Sequence, residues 1–256
     1  MQPSDDVALP DPLSRVAPKS KPTFGRVGEY PLEQRPELLA PAMRVISAWA
    51  ALEAAVSGAF LAMLGTDARP AVAIFQALTS TAAQRDALRA AAAETLYRIG
   101  EAELFDALLR LHRSAGKGRN RVAHWIWGVV PEVPDGVLLC DPAALLAYRQ
   151  WAVFRSKLWA EMGMDGSDPA LVGEVTAGWE EPRVDPDKVL VYRLIDFTNL
   201  SAEIERAAAH FAAFAEIVSD HGRLADDPKY IRLCSEPDVR RELDRPLRGQ
   251  KTRPEA

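Results

Sequence analysis

The chain has 256 residues, of which 48% are hydrophobic, and this is enough apolar content to build a substantial core. Its net charge of -5 at pH 7 argues against a protein that coats nucleic acid or anionic membranes, because such binding needs a broadly cationic surface. The two cysteines, Cys140 and Cys234, form no CxxC pair, so neither a disulfide framework nor a zinc knuckle is expected.

The two ends of the chain show no sustained hydrophobic periodicity. Residues 1–35 are rich in Pro, Ser and charged side chains, a composition that cannot bury enough apolar surface to offset the entropy lost on ordering. The Arg-rich stretch after Gly222 is also interpreted as mobile. We therefore expect flexible tails at residues 1–35 and 223–256, flanking one core domain with appendages.

The apolar segments give no indication of export or membrane insertion. Asp5 and Asp6 lie near the N-terminus, which lacks the apolar segment of a signal peptide. The most apolar later stretches contain Arg44, Glu53 or Glu205. These features predict a cytoplasmic protein with no membrane-spanning helix.

Four helices are predicted over residues 36–119. The first has the clearest pattern, because its apolar residues alternate spacings of four and three and so form one stripe. The stripe consists of Leu38, Ala42, Val45, Trp49, Leu52, Val56, Phe60 and Met63. A short helix over 72–78 follows, and a third helix begins at a capping box formed by Thr81 and Gln84.

The fourth predicted helix has an apolar face over residues 104–109 and then meets the sequence Gly116-Lys117-Gly118. Each glycine disfavours continuation of a helix by about 1 kcal/mol relative to alanine. A kink or break is therefore expected just before Arg119.

A small β-hairpin is predicted after His124. Residues 125–130 and 137–140 form two short strands on either side of a turn-rich loop. Asp141 and Pro142 then suit the first positions of another helix, since Asp can cap a helix and Pro is favoured in its first turn.

The remaining chain contains one long loop and one strong helix. The stretch 163–188 is rich in Gly, Asp and Pro, and is either a functional loop or disordered. A strand is predicted at 189–192, and a second apolar stripe over 200–218 predicts another helix.

The predicted fold class is mostly α. An antiparallel helical bundle is expected over residues 36–128, because its helices have short connections. The hairpin and the additional C-terminal helices, over 129–222, are expected to pack on this bundle.

One segment, residues 119–124 with the sequence Arg-Asn-Arg-Val-Ala-His, concentrates chemically active side chains. Four residues separate Arg119 from His124, the polar Asn120 follows the arginine directly, and the segment lies at the far end of the predicted bundle. In these respects residues 36–128 resemble the HEPN superfamily (higher eukaryotes and prokaryotes nucleotide-binding), whose ribonucleases carry an RNxxxH signature.

The resemblance implies a metal-independent endoribonuclease, in which the ribose 2′-hydroxyl attacks its own phosphate and leaves a 2′,3′-cyclic phosphate. It implies that Arg119, Asn120 and His124 are catalytic, that RNA is the substrate and that the site is shared across a homodimer. A role in defence or stress response, with an antitoxin or regulatory protein as partner, is also implied. The sequence contains no HExxH, GxGxxG or P-loop pattern, so no metal or cofactor is expected.

The side chains themselves fit this chemistry. An imidazole can take or give a proton at cellular pH, which suits His124 to acid or base catalysis. A guanidinium stays charged and can hold a phosphorane in a bidentate manner, which suits Arg119. Asn120 would position either neighbour.

The spacing of Arg119 and His124 places them about 140° apart around an ideal helix, so they do not share a face. Three explanations remain open. Arg119 lies in the glycine-containing turn with Asn120 capping the next helix, or its long side chain reaches around the helix, or the second member comes from another protomer.

A basic cluster surrounds the motif. Lys117 and Arg121 are expected to bind substrate together with nearby Arg110 and Arg113, because a local positive charge in an acidic chain attracts phosphate. The alternative is an ordinary solvated helix face.

Two charged residues fall on apolar stripes. Glu53 and Arg85 are expected to point inward, where Glu53 would pair with Arg85 or orient Arg119 from behind. A purely structural ion pair, or positions at the solvent border, is the alternative.

Two other functions stay open beside the ribonuclease. The chain could be a non-catalytic, dimeric HEPN-like module that binds a nucleotide or a protein partner, because a shared fold does not carry activity with it. It could also be a scaffold that uses the hairpin and the later helices for a partner.

Overall fold

The computed structural model describes residues 10–25, 30–65, 69–98, 100–161, 184–220 and 227–245. The α-helices in these ranges are α1 (Leu13–Val16), α2 (Leu39–Leu64), α3 (Arg69–Ala77), α4 (Thr81–Thr95), α5 (Glu101–His124), α6 (Leu146–Glu161), α7 (Leu194–Ser219), α8 (Pro228–Ser235) and α9 (Pro237–Leu243). The strands are β1 (Thr23–Phe24), β2 (Ile126–Val129), β3 (Gly136–Cys140) and β4 (Val189–Arg193). The predicted fold class, mostly α with a small β element, is confirmed.

The four strands form one sheet in the order β1-β2-β3-β4, and every neighbouring pair is antiparallel. Strands β2 and β3 form the hairpin that was predicted after His124, with Trp127 opposite Leu139. Strand β4 confirms the strand predicted at 189–192. All of β3 is buried, and it is paired along both edges.

The contacts of the chain cluster into two compact units. The sheet unit comprises Met1–Ala42 and Asn120–Thr198, and the helical unit comprises Met43–Arg119 and Asn199–Ala256. Each unit combines segments that are distant in the sequence. This division differs from the contiguous ranges 36–128 and 129–222 that the sequence suggested.

The core of the sheet unit is aliphatic and involves the N-terminal segment. It consists of the buried residues Leu13, Val130, Val133, Leu138, Cys140, Leu145, Val189 and Val191. Strand β1 pairs with β2, so that Phe24 lies opposite Gly128. A Cβ at Gly128 would come within 2.6 Å of Phe24 Cδ1, so the glycine permits this close approach.

The expectation of a flexible tail at 1–35 is therefore wrong for its described residues. Leu13 is buried, β1 belongs to the sheet, and a 3-10 helix forms at Pro31–Gln34 with Pro31 buried. Isolated apolar residues in a Pro-rich segment give no periodic signal, although each can still fill a place in a core formed by distant strands.

The helical unit has an aromatic core. The Phe105 ring packs against those of Phe214 and Phe211, with centroids 5.2 and 6.4 Å apart, and Phe60 stacks on Phe75 at 4.7 Å. The predicted apolar stripe of α2 is buried from Val45 to Met63.

Helix α5 continues without a break through Gly116 and Gly118, so the predicted interruption before Arg119 is wrong. The glycines serve close packing instead. A Cβ at Gly116 would lie 3.1 Å from the Trp49 ring, and one at Gly118 would lie 2.5 Å from Leu200 Cδ1. Tertiary contacts thus outweigh the weak intrinsic preference of glycine against helix.

The flexible C-terminal tail predicted at 223–256 is wrong for residues 227–245. These residues form α8 and α9, in which Leu233 and Val239 are buried. The Arg110 guanidinium anchors the end of α9, because its Nε donates to the Glu242 carboxylate at 3.0 Å and its Nη2 to the Glu242 carbonyl at 2.7 Å.

Two details of the predicted boundaries also change. The N-cap of α4 is Ser80, whose hydroxyl accepts from the Ala83 amide at 3.4 Å, so the capping residue lies one position before the predicted one. Asp141 caps a turn through the Ala143 amide at 2.9 Å, and the helix begins later, at α6. Most of the loop predicted at 163–188 lies outside the described residues.

Among the described residues, Pro36–Leu64 is the helix that is long and apolar enough to cross a membrane by length and composition, with a hydropathy of 1.6. A core helix of a soluble protein passes the same test. Within this helix Arg44 pairs with Glu205 and Glu53 is exposed, while Val45 to Met63 contribute to the protein core. These contacts fit a largely soluble protein.

Candidate functional site

The last turns of α5 carry the whole motif. Arg119, Asn120, Arg121 and His124 lie on one continuous helix, His124 is its final residue, and β2 begins two residues later. The explanation that placed Arg119 in a glycine-containing turn is therefore wrong. The angular separation of Arg119 and His124 stays at about 140°.

In the helical unit, Arg119 lies against the indole of Trp49. Its guanidinium carbon is 5.5 Å from the ring centroid, which is within the range of a cation–π contact, and the side chain is half-buried. Gly116 provides the space for the same indole. Trp49, near the middle of α2, thus contributes to where the motif arginine is held.

In the sheet unit, His124 and Asn120 are exposed. Arg121 is half-buried, and its guanidinium carbon lies 5.5 Å from the centroid of Trp125. Burial raises the pKa of the Tyr192 phenol, and the nearby Arg121 guanidinium opposes this shift by hydrogen bonding and charge. Arg121 is therefore positioned by two aromatic side chains.

The predicted basic cluster is only partly available to an anion. Lys117 and Arg113 are exposed on α5, as the substrate-binding prediction requires of Lys117. Arg110, by contrast, is engaged by Glu242. The cluster thus supplies fewer positive charges than the sequence count suggests.

The expectation that Glu53 points inward is wrong, because its side chain is exposed on α2. Arg85 is half-buried on α4, and both residues line the same pocket in the helical unit. That Glu53 pairs with Arg85 or orients Arg119 stays a prediction. The contact of Arg119 that the structure does show is with Trp49.

This pocket, which we name the His112 pocket, has a volume of about 350 Å³. It is lined by Trp49, Glu53, Ala54, Val56, Ser57, Phe75, Gln76, Gln84, Arg85, Leu88 and His112. The sequence assigns no role to His112, although it places this residue near the apolar face of the fourth predicted helix. Its position four residues after Leu108, on the apolar face of α5, was the one signal that could have placed it in the interior.

His112 is 8% exposed, and its ring lies 5.0 Å from that of Trp49 and 6.2 Å from that of Phe211. Burial lowers the pKa of His112 to about 4, and the charge of Arg85 lowers it further in the same direction. The imidazole is thus neutral at pH 7, with one nitrogen as donor and the other as acceptor.

A second concavity, the Trp125 groove, lies in the sheet unit directly after the motif. It has a volume of about 330 Å³ and is lined by Gly25, Tyr30, Pro31, Leu32, Trp125, Ile126 and Trp127. Its lining is aromatic and apolar, and Tyr30 is 65% exposed.

Within the described residues, no group of three or more His, Cys, Asp or Glu side chains could hold a metal ion. Comparisons with family models, with curated proteins and with solved structures give no match. The resemblance to the HEPN superfamily consequently depends on the residues of α5 themselves.

Proposed function

We propose that the chain is a metal-independent endoribonuclease of HEPN type. The observation that supports this proposal most directly is the exposed His124 at the end of a continuous helix that also carries Arg119 and Asn120. A histidine in this position is accessible to a substrate that is too large to enter a closed pocket. Such access is what RNA cleavage requires.

The proposed reaction needs one proton-transfer group and one anion-stabilising group. His124 takes the proton of the ribose 2′-hydroxyl, or gives one to the leaving 5′-oxygen, as the phosphodiester becomes a 2′,3′-cyclic phosphate. Arg119 stabilises the charge that accumulates on the phosphorane, and Asn120 positions either neighbour. Lys117 and Arg121 hold the flanking phosphates.

We further propose that a homodimer completes the site. Arg119 and His124 of one helix do not share a face, whereas a two-fold axis can bring the arginine of one protomer to the histidine of the other. A cytoplasmic enzyme of this kind would act in defence or stress response. Its activity would be restrained by an antitoxin or another regulatory protein.

The proposal is tested by incubating the pure protein with a labelled single-stranded RNA in EDTA. We expect cleavage with 2′,3′-cyclic phosphate ends, and a loss of about 100-fold or more in His124→Ala and in Arg119→Ala, in line with general acid–base catalysis. Arg89→Ala, an exposed arginine on α4 outside the motif and its basic cluster, serves as the control. Circular dichroism confirms that each variant folds.

Equal cleavage by the wild type and by both motif variants would exclude the assignment of these residues. Cleavage that depends on added metal would exclude the proposed chemistry.

A non-catalytic module that binds a nucleotide or protein partner is the second candidate. The half-buried contact between Arg119 and Trp49 favours it, because a guanidinium held on an indole also stabilises a helix packing without any substrate. This candidate predicts that Arg119→Ala lowers the thermal stability, while RNA remains intact with every variant.

A further inference from the structure

The apolar part of the His112 pocket wall suits the flat rings of a ligand. Trp49 and Phe75 contribute aromatic rings, and Val56 and Leu88 contribute aliphatic surface. A volume of about 350 Å³ is at the lower end of the range for small-molecule sites, which begins at about 300 Å³. A molecule of one or two fused rings therefore fits.

The lining also has polar side chains, which are Glu53, Ser57, Gln76, Gln84, Arg85 and His112. His112 is more than nine-tenths buried, lines the cavity, and makes ring contacts with Trp49 and Phe211. Among the described residues no hydrogen bond to its ring nitrogens is found. Because His112 lines the pocket and its neutral ring has one donor and one acceptor nitrogen, a ligand in the pocket can form a hydrogen bond with it.

The charges of the pocket limit the charge of its ligand. Arg85 is half-buried and provides the one cationic side chain of the lining, whereas Glu53 provides an exposed carboxylate. A single negative charge can pair with the Arg85 guanidinium. A phosphate ester, with nearly two charges, would meet the Glu53 carboxylate without a second cation to balance it.

We propose that the His112 pocket binds a flat aromatic monocarboxylate, with its rings between Trp49 and Phe75, its carboxylate on Arg85 and a hydrogen bond to His112. This site is distinct from the exposed His124, and the proposal does not depend on ribonuclease activity. Because Trp49 also contacts Arg119, the bound rings would lie one side chain away from the motif arginine.

The test uses 2-naphthoate as probe, measured by isothermal titration calorimetry on the full chain. 2-Naphthalenemethanol, which has the same rings without the charge, and AMP are the comparison ligands. We expect saturable 1:1 binding of 2-naphthoate, with the alcohol and AMP each at least tenfold weaker. Binding of AMP as tight as that of 2-naphthoate, or no binding of 2-naphthoate at millimolar concentration, would overturn the proposal.

Variants locate the site. Arg85→Met should weaken 2-naphthoate binding at least tenfold, while Arg89→Met, an exposed arginine on the same helix, should leave it unchanged. Glu53→Gln, at an exposed position, should tighten binding by removing the like charge. Unchanged affinity in both Arg85→Met and Glu53→Gln would contradict the proposed placement.

Discussion

Trp49 contacts the motif arginine, the buried histidine and a glycine of α5 within the helical unit. Its indole contacts the Arg119 guanidinium, stacks near the His112 imidazole and fills the space left by Gly116. The apolar stripe of α2 predicted that Trp49 would be buried, and it is. Its three partners could not be predicted, because they lie on a helix more than fifty residues away and periodicity carries no information about partners.

His112 predicts a specific pH dependence of stability. Its pKa falls to about 4 in the folded chain from the ordinary 6.5, so the unfolded chain binds this proton more tightly. The stabilisation from the neutral form is complete above pH 6.5 and is lost as the pH falls towards 4. Between pH 7.5 and 5 we expect this one group to lower the free energy of unfolding by about 2 kcal/mol.

Urea unfolding of the wild type and of His112→Leu at these two pH values isolates this contribution from the carboxylates. The variant should lose less stability than the wild type on acidification. An identical pH dependence in the two proteins would show that the pKa of His112 does not differ between the folded and the unfolded chain.

Glu53 illustrates the limit of pattern reasoning at a single position. In the sequence it lies among the apolar residues of α2, yet its side chain is exposed. Glu53 directly follows the buried Leu52, and one residue along a helix turns the side chain by about 100°, which takes it off the buried stripe. The roles of Arg119, Asn120 and His124, in contrast, stay predictions from the sequence.

Helix α5 depends on glycines for its packing. Gly118→Ala should destabilise the protein by about 1–3 kcal/mol, because the added methyl group meets Leu200 at 2.5 Å and overpacking exceeds the gain in helix propensity. Gly58→Ala in α2 is the matched control, since nothing lies within 4 Å of its Cβ position. That variant should be stabilised by up to about 1 kcal/mol.

Thermal and chemical denaturation of both variants measure the difference. A stabilised Gly118→Ala would mean that Leu200 moves aside without cost.

The helices that could be predicted are those with a long periodic stripe, such as α2 and α7. The elements that could not be predicted are short and gain stability from partners: β1 has two residues and exists by pairing with β2, and α9 is fixed by Val239 and by the bond from Arg110 to Glu242. The prediction of a break in α5 was wrong for the same reason, since the sequence does not reveal which helix face lies against Leu200.

At the scale of the whole molecule, the proposed dimer makes a prediction that monomeric catalysis does not. If one protomer contributes Arg119 and its partner contributes His124, mixed dimers of Arg119→Ala and His124→Ala contain one intact site. Co-refolding equal amounts should restore about a quarter of the wild-type RNA cleavage, since about half of the dimers are mixed and each has one of two sites.

Light scattering on the same samples establishes that dimers are present. No recovery in a sample shown to contain mixed dimers would place both residues of a site on one chain.

The N-terminal segment closes both sides of the sheet. At one edge of the sheet, the two-residue strand β1 pairs with β2. At the other edge, Pro12 forms a bridge with Leu190, and the Val191 amide donates to the Asp11 carbonyl at 2.9 Å. Unpaired strand edges are templates for intermolecular pairing. The N-terminal residues, whose composition suggested a flexible tail, thus protect the sheet against aggregation. A chain that begins at Pro36 would expose the edges of β2 and β4 to pairing with other molecules.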